Sequence, residues 1–552
     1  MVPEALLVLS LAGTSPYAID GVDVDAVLDR LTPEQKVGQL MLLGFGGTRM
    51  DNTIGSFLDD MRPGGVALFS RNVDNPEQVM RLIRDVRAHD PNGVPMFVAV
   101  DQEGGNVVRL KQEATILPSA MALGAAGDPA LARRAGAALG KDLRLLGFNM
   151  NLAPVLDVNS NPDNPVIGIR SFGEHPEAVA DLGIAYIEGM QSEGVLAVAK
   201  HFPGHGDTDS DSHYHLPIIA HDKRRLDEVE LFPFARAFAQ GLDAIMTAHI
   251  ALPTLGDDGE KDLPATVNSR VLTGLLRDEL GYDGLVITDG LEMQGIVQRF
   301  GSGEAAVRAV LAGADVVMVL WFPEKKREVR DALLAAVESG RIPDWRLDQA
   351  VRRVLVAKAT RGLFSRPVLP MKEALDELAR ADRHVVEEIA ERAITVVKND
   401  DDVLPLTADK RVVIASTEPL FSDVLAKKLP HARVLPLSLG PTRERANADA
   451  QRLREMAKDA DVVVIALENL DHKAVVERAR TSPRTRLVVV SFGSPYLVRK
   501  LPDVDAYVCA FGWRDESERA AAEVLLSERP APGKMPVTLP PTPGPRAVSS
   551  MR

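Results

Sequence analysis

Short apolar runs recur along the first two thirds of the chain, each followed by polar residues and then by a longer amphipathic stretch. VALF (66–69), MFVAV (96–100), FNMNLAPV (148–155), VLAVAKHF (195–202), DAIMTAHI (243–250), GLVITDG (284–290) and DVVMVL (315–320) have the length and β-branched content of buried strands. Between them, stretches such as PEQVMRLIRDVRAH and PALARRAGAALGKDLRLLG carry apolar residues at helical spacing. This alternation implies βα units and a parallel sheet. Polar residues collect immediately after each strand, which suits a (β/α)8 barrel better than an open doubly wound sheet. One strand is missing from the set, and KVGQLMLLGF (36–45) is the candidate for it.

A helical pattern ends at RGLFSRPVLPM (361–371), where two prolines and a glycine read as a linker. A second alternating section follows: AITVVKND, KRVVIAS, DVVVIAL, RLVVVSFG and VDAYVCAFG, with helical segments between. The expected fold is therefore α/β: a TIM-type barrel followed by a smaller α/β sandwich. The expected limits are an N-terminal extension over 1–21, the barrel over 22–360, a linker over 361–388 and the sandwich over 389–552. PGKMPVTLPPTPGP is expected to supply the sandwich's closing strand and an irregular tail. The glycine-rich pieces do not form phosphate loops, because DQEGGN lacks G-x-G-x-x-G spacing and no G-x-x-x-x-G-K-[ST] occurs.

Length and composition fit this reading. A chain of 552 residues exceeds the size at which one core stops growing, and 45% hydrophobic with 26% charged residues is globular. The formal net charge of −14 is spread along the chain, as on a solvated acidic surface. It disfavours nucleic acid and anionic membranes as partners. The single cysteine, Cys509, excludes an internal disulfide, and its apolar setting favours inert packing over a catalytic thiol. MVPEALLVLSLAG has no Lys or Arg before its apolar stretch, a poor signal peptide, and no run approaches the ~20 apolar residues that span a bilayer. A cytoplasmic location is expected.

The most polar and irregular segment is KHFPGHGDTDSDSHYHLP, Lys200 to Pro217. It admits three readings: a solvated loop, a metal site using His201, His205, His213 and His215, or a proton-transfer site. Pro203 and Gly204 break the helix that an H-E-x-x-H arrangement needs, so no metal or cofactor is expected. The proton-transfer reading rests on Asp211 and His213. An imidazole can donate a proton to a leaving oxygen and later accept one from water, provided a carboxylate fixes its tautomer. In an extended loop Asp211, two residues before His213, can turn to the same side. A second site is Asp289 of VITDG, a carboxylate at the C-terminal end of its strand, where barrel enzymes place reacting groups. Helix capping by the same aspartate remains open, because Gly290-Leu291-Glu292 can begin a helix. Together the two sites suggest double displacement at a sugar carbon.

With these segments in view the chain resembles glycoside hydrolase family three, in its β-N-acetylglucosaminidase branch. The resemblance runs through LTPEQKVGQLMLLGF, RPGGVALF, DQEGGNVVRL, NLAPVLDVN, IGIRSFG, KHFPGHGDT with DSH and LP, and VITDGLEM, over roughly residues 30 to 360. It implies hydrolysis of terminal β-linked N-acetylglucosamine, with Asp289 as nucleophile and His213, paired with Asp211, as general acid and base. It further implies that Asp101, Arg109, Arg170, Lys200 and His201 bind sugar hydroxyls, a task suited to charge-assisted hydrogen bonds. The expected partner is a small carbohydrate. The second section resembles the sandwich of two-domain members and is assigned no catalytic residue.

Three alternatives stand beside this reading. A histidine base carries no negative charge when it acts on the intermediate, so phosphate can replace water and the enzyme would be a phosphorylase. A β-glucosidase or β-xylosidase would show no dependence on the acetamido group. A sugar-binding protein on an inactive barrel would have lost Asp289, His213 or Asp211, and all three are present.

Overall fold

The computed structural model describes residues 18–539 apart from 112–113, 213, 256–260, 367–368 and 382. Eight parallel strands close into a barrel: β1 (Met41–Gly44), β2 (Gly65–Leu68), β3 (Phe97–Val100), β4 (Met150–Asn151), β5 (Leu196–Phe202), β6 (Ala244–Thr247), β7 (Leu285–Gly290) and β8 (Val316–Val319). The ring closes where Val317, Met318 and Val319 pair with Met41, Leu42 and Leu43. The run at 36–45 does supply the missing strand, but only from Met41. Its first half belongs to the helix Pro33–Gln39, which Thr32 and Gln35 start with a capping box.

The strands are apolar throughout because both of their faces are buried. Leu42, Phe97, Leu152, Leu196, Met246, Ile287 and Met318 fill the barrel interior. Alternate residues such as Leu43, Val98, Ala197 and Val317 meet the surrounding helices. Among these helices are α1 (Asn52–Met61), α2 (Pro76–Ala88), α3 (Pro129–Leu146), α4 (Pro176–Ser192), α5 (Gln294–Ala312), α6 (Pro323–Glu338) and α7 (Asp344–Thr360). None among the described residues is long and apolar enough to cross a membrane.

The segment after α7 is helical where it passes to the second section, as α8 (Met371–Ala379) and α9 (His384–Ala393). A six-stranded sheet follows, built of β9 (Thr395–Asn399), β10 (Val412–Ser416), β11 (Arg433–Pro436), β12 (Val462–Leu467), β13 (Arg486–Ser491) and β14 (Ala506–Cys509). Its order is β9-β14-β13-β12-β10-β11, with β9 antiparallel to β14 and the rest parallel. Cys509 is fully buried, and burial pushes its thiol well above the ordinary range, as inert packing requires.

The closing strand expected from PGKMPVTLPPTPGP is not found over residues 531–539, which run as irregular chain; the remainder lies outside the described residues. Pro532 and Pro536 cannot donate to a ladder. This stretch instead ties the two halves together, Lys534 N–H donating to Ala125 O and Glu174 N–H to Pro536 O. Further ties are Ser119 Oγ to Phe511 O at 2.6 Å, Asn159 Nδ2 to Tyr496 Oη at 3.2 Å, and the Arg499–Asp163 ion pair at 2.8 Å. The barrel's helix-facing core runs on without a break into one face of the second sheet.

Candidate active site

The mouth of the barrel at the C-terminal ends of the strands holds a row of alternating charges. Asp101 and Glu103 follow β3, and Lys200 and His201 are among the last residues of β5. The Lys200 ammonium lies 2.8 Å from Asp101 Oδ1 and 2.7 Å from Glu103 Oε1. Arg170 grips Glu103 with two parallel hydrogen bonds, of 2.9 and 2.8 Å, and also donates to Val166 O. At the other end Arg109 Nη2 stands 3.7 Å from Asp101 Oδ2. The sequence is thus Arg109, Asp101, Lys200, Glu103, Arg170, three cations interleaved with two carboxylates.

Electrostatics follow from this order. Burial alone pushes the Glu103 carboxyl up, but Arg170 and Lys200 outweigh it and hold the group far below the usual carboxylate range. Burial depresses Lys200, and Asp101 and Glu103 more than restore it, so the ammonium stays charged. Beside this row His201 Nδ1 lies 2.7 Å from Asp157 Oδ2, and the backbone N–H groups of His201 and His205 both donate to Asp157 Oδ1. Burial raises the Asp157 carboxyl, and the two histidines bring it back below its ordinary value. Tyr186, fully buried nearby, is pushed up by burial and by the Glu103 charge.

Asp289 sits at the end of β7, and its Oδ1 accepts the Gly290 N–H at 2.7 Å. The following helix begins only at Gln294, with Met293 at its N-cap, so Asp289 does not cap it. His249 supports the strand end from the segment just after β6, its Nε2 3.1 Å from Gly290 O and its Nδ1 2.8 Å from Thr266 Oγ1.

The loop after β5 is folded tightly. Gly206 packs so closely on Val158 that a Cβ would meet its carbonyl oxygen at 1.7 Å. His205 bridges the loop, Nδ1 to Thr208 Oγ1 at 2.7 Å and Nε2 to Ser212 Oγ at 3.1 Å. Burial and the neighbouring His201 depress its pKa to about 4, so the ring is neutral near pH 7. The Asp211 carbonyl accepts from Tyr214 N–H and His215 N–H, which makes a turn, and Gly295 N–H donates to Ser212 O at 3.3 Å. Ser212 is therefore fixed from two sides. His213, the residue after it, lies outside the described residues.

The structure thus gathers Asp101, Arg109, Arg170, Lys200 and His201 at one barrel mouth, on the face that carries Asp289. Sequence reasoning missed Glu103 and Asp157, the carboxylates that bind Arg170, Lys200 and His201, although both lie inside the DQEGGNVVRL and NLAPVLDVN segments. Asp207, His221 and Glu230 offer ligand atoms within 4.8 Å of one another. Their charges are already matched, Glu230 accepting twice from Arg225 and Asp207 pairing with His221.

Residues 32–357 match the model of the Glycosyl hydrolase family 3 N terminal domain, and residues 394–550 that of the Glycosyl hydrolase family 3 C-terminal domain. The chain is 35% identical over 421 residues to Beta-hexosaminidase A of Pseudoalteromonas piscicida, covering 69% of this chain and 70% of that one. It is 32% identical over 406 residues to a Beta-N-acetylglucosaminidase/beta-glucosidase of Cellulomonas fimi, covering 72% and 70%. Among solved structures, a family 3 β-N-acetylglucosaminidase from Paenibacillus sp. str. FPU-7 superposes with a TM-score of 0.85 at 38% identity, covering 92% of this chain and 99% of that one. With a closed parallel barrel, a strand-end aspartate at its mouth and family models matched over both halves, the chain belongs to glycosyl hydrolase family 3 and is a glycoside hydrolase.

Proposed function

We propose that the protein is a retaining β-N-acetylglucosaminidase that removes terminal β-linked N-acetylglucosamine through a covalent glycosyl-aspartate. The observation that carries the reading is the charged row from Arg109 to Arg170, set on the same barrel mouth as the strand-end Asp289. Asp101, Arg109, Lys200 and His201 bind the sugar's hydroxyls, and Arg170 does so with or through Glu103. The carboxylates are pre-positioned by Lys200 and Arg170, so they accept hydrogen bonds from hydroxyls without reorganising.

In the first step the Asp289 carboxylate attacks the anomeric carbon while His213, steadied by Asp211, protonates the departing oxygen. In the second step the neutral imidazole takes a proton from water, and that water displaces Asp289. Ser212, the residue before His213 in the chain, is pinned by His205 and Gly295. The names of the relatives support N-acetylglucosamine as the sugar, and a cytoplasmic role in amino-sugar or cell-wall recycling belongs to the same proposal. Domain limits at 22–360 and 389–552, joined through 361–388, also belong to it, and limited proteolysis tests them.

A 5-fluoro N-acetylglucosaminyl fluoride is the trap of choice. It is expected to accumulate a glycosyl-enzyme, and peptide mass spectrometry is expected to place the sugar on Asp289. Labelling elsewhere, or no labelling with turnover intact, refutes the mechanism. The same assay with and without phosphate separates hydrolysis from phosphorolysis. Aryl glucoside turnover faster than that of the aryl N-acetylglucosaminide would replace the substrate assignment.

A further inference from the structure

Beside the barrel mouth, between α1 and the start of α6, lies a groove of about 1000 Å³ whose lining includes Phe45, Phe57, Arg71, Trp321, Phe322 and Lys326. It continues directly from the charged row. The Arg109 guanidinium stands 5.6 Å from the centre of the Phe69 ring, Phe69 stands 4.7 Å from Trp321, and Arg71 lies over both rings at 4.9 and 4.3 Å. Trp321 and Phe322 are more than half exposed, an unusual disposition for rings that follow a buried strand.

Their loop is nevertheless held firmly. The Glu292 carboxylate, three residues beyond Asp289, accepts from the backbone N–H groups of Leu320, Trp321 and Phe322 at 2.6 to 3.0 Å. A rigid, open indole beside a sugar site is suited to stacking on a flat ring or on the C–H face of a pyranose.

Lys326 supplies the charge. Its residue is only 3% exposed, yet among the described residues its ammonium makes no hydrogen bond and no ion pair. Its nearest ring contact is Phe57, at 5.9 Å. Arg71 donates to the carbonyls of Phe45 and Leu320 and has no carboxylate in its hydrogen-bonding shell. Burial depresses the Lys326 pKa, and Arg71 adds to this while Glu292 opposes it. Glu292, whose oxygens are taken up by three backbone N–H groups, offsets both cations through space, but among the described residues neither forms an ion pair with a carboxylate. In a chain with a formal net charge of −14, two cations that line one groove beside the site and form no ion pair of their own match an anion that arrives with the substrate.

We propose that this groove is the leaving-group subsite, with Trp321 as its stacking platform, and that Lys326 with Arg71 makes it select aglycones that carry a carboxylate. The proposal rests on the glycosidase reading above. The test compares 3-carboxyphenyl and 3-carbamoylphenyl N-acetyl-β-glucosaminides, which differ in charge at one position, on the wild-type enzyme, Lys326→Met and Trp321→Ala. The wild type is expected to favour the carboxylate in kcat/KM by about tenfold at low salt. Lys326→Met should bring the ratio to about one with its melting temperature kept, since methionine fills the same volume. Trp321→Ala should raise KM for both substrates.

A wild-type ratio near one overturns the proposal without any variant, as does a preference that survives in Lys326→Met. If both glucosaminides are cleaved equally, the groove assignment alone fails. If neither is cleaved, the glycosidase reading fails with it.

Discussion

Gly295 is where a single methyl group should separate catalysis from stability. It is the second residue of α5, its N–H donates to Ser212 O, and a Cβ at this position would lie 2.9 Å from both Ser212 O and His215 O. Restoring an ordinary contact of about 3.4 Å means moving the turn at 211–215 by about half an ångström. In the mechanism proposed above, proton transfer falls to Asp211 and the residue that follows Ser212, so a shift of this turn acts on that step. A misplacement of 1 Å costs on the order of a hundredfold, and half of that about tenfold. Alanine is the better helix former by about 1 kcal/mol, which offsets the strain, so the melting temperature should hardly change.

The diagnostic is leaving-group dependence. Gly295→Ala should lose about tenfold in kcat/KM with phenyl N-acetyl-β-glucosaminide, whose departure needs the acid. It should lose much less with the 2,4-dinitrophenyl glycoside, whose departure does not. Equal losses on both substrates, or activity within twofold of wild type on the phenyl glycoside, would refute the idea that this glycine holds the loop.

Three further outcomes follow from buried titratable groups. His205 is neutral with a folded pKa of about 4, below its unfolded value, so the unfolded chain binds the extra proton; its contribution to stability is whole above about pH 6.5 and is lost towards pH 4. Denaturant unfolding at pH 7.5 and 4.5 should show this loss in the wild type and a smaller one in His205→Gln. Lys358, fully buried, donates to Gln39 Oε1 and lies 5.0 Å from the Phe97 ring, and burial brings its pKa down to about 7. The unfolded chain holds that proton up to about pH 10.4, so between pH 7 and 10 the wild type should gain stability relative to Lys358→Met as pH rises, by a few kcal/mol in denaturant titrations. Glu103→Gln leaves Lys200 and Arg170 short of a counter-charge; it should cost about 3 kcal/mol in chemical denaturation and lower kcat/KM for every N-acetylglucosaminide, and a variant of unchanged stability would contradict the charged-row account.

The barrel was legible because parallel strands buried on both faces leave continuous apolar runs, which no surface helix does. The exceptions have local causes. The run at 148–155 forms only the two-residue β4, because Asn149 turns its side chain onto Val98 N–H and Met96 O and Pro154 has no N–H to give. β11 left no run at all: of Arg433, Val434, Leu435 and Pro436, only Leu435 is buried, as befits a short edge strand ending in proline. The start of β1 was hidden behind a helix of similar apolar content, and only the Thr32 cap marks where that helix begins.

The site was legible where one motif holds the meaning and illegible where it is shared between distant segments. Lys200, His201 and Asp289 announce themselves as polar residues at strand ends. Glu103 acquires its role from Arg170, 67 residues on, and Asp157 from His201, 44 residues on, so neither spacing is visible along the chain. The same interdependence bears on how the enzyme can vary. Each member of the charged row neutralises the next, and losing one leaves a buried charge uncompensated. Lys326 belongs to no such row. It can be exchanged for a neutral side chain at little cost to the fold, so on the subsite proposal the freedom to change leaving-group preference lies at the rim of β8 while the charges of the row stay fixed.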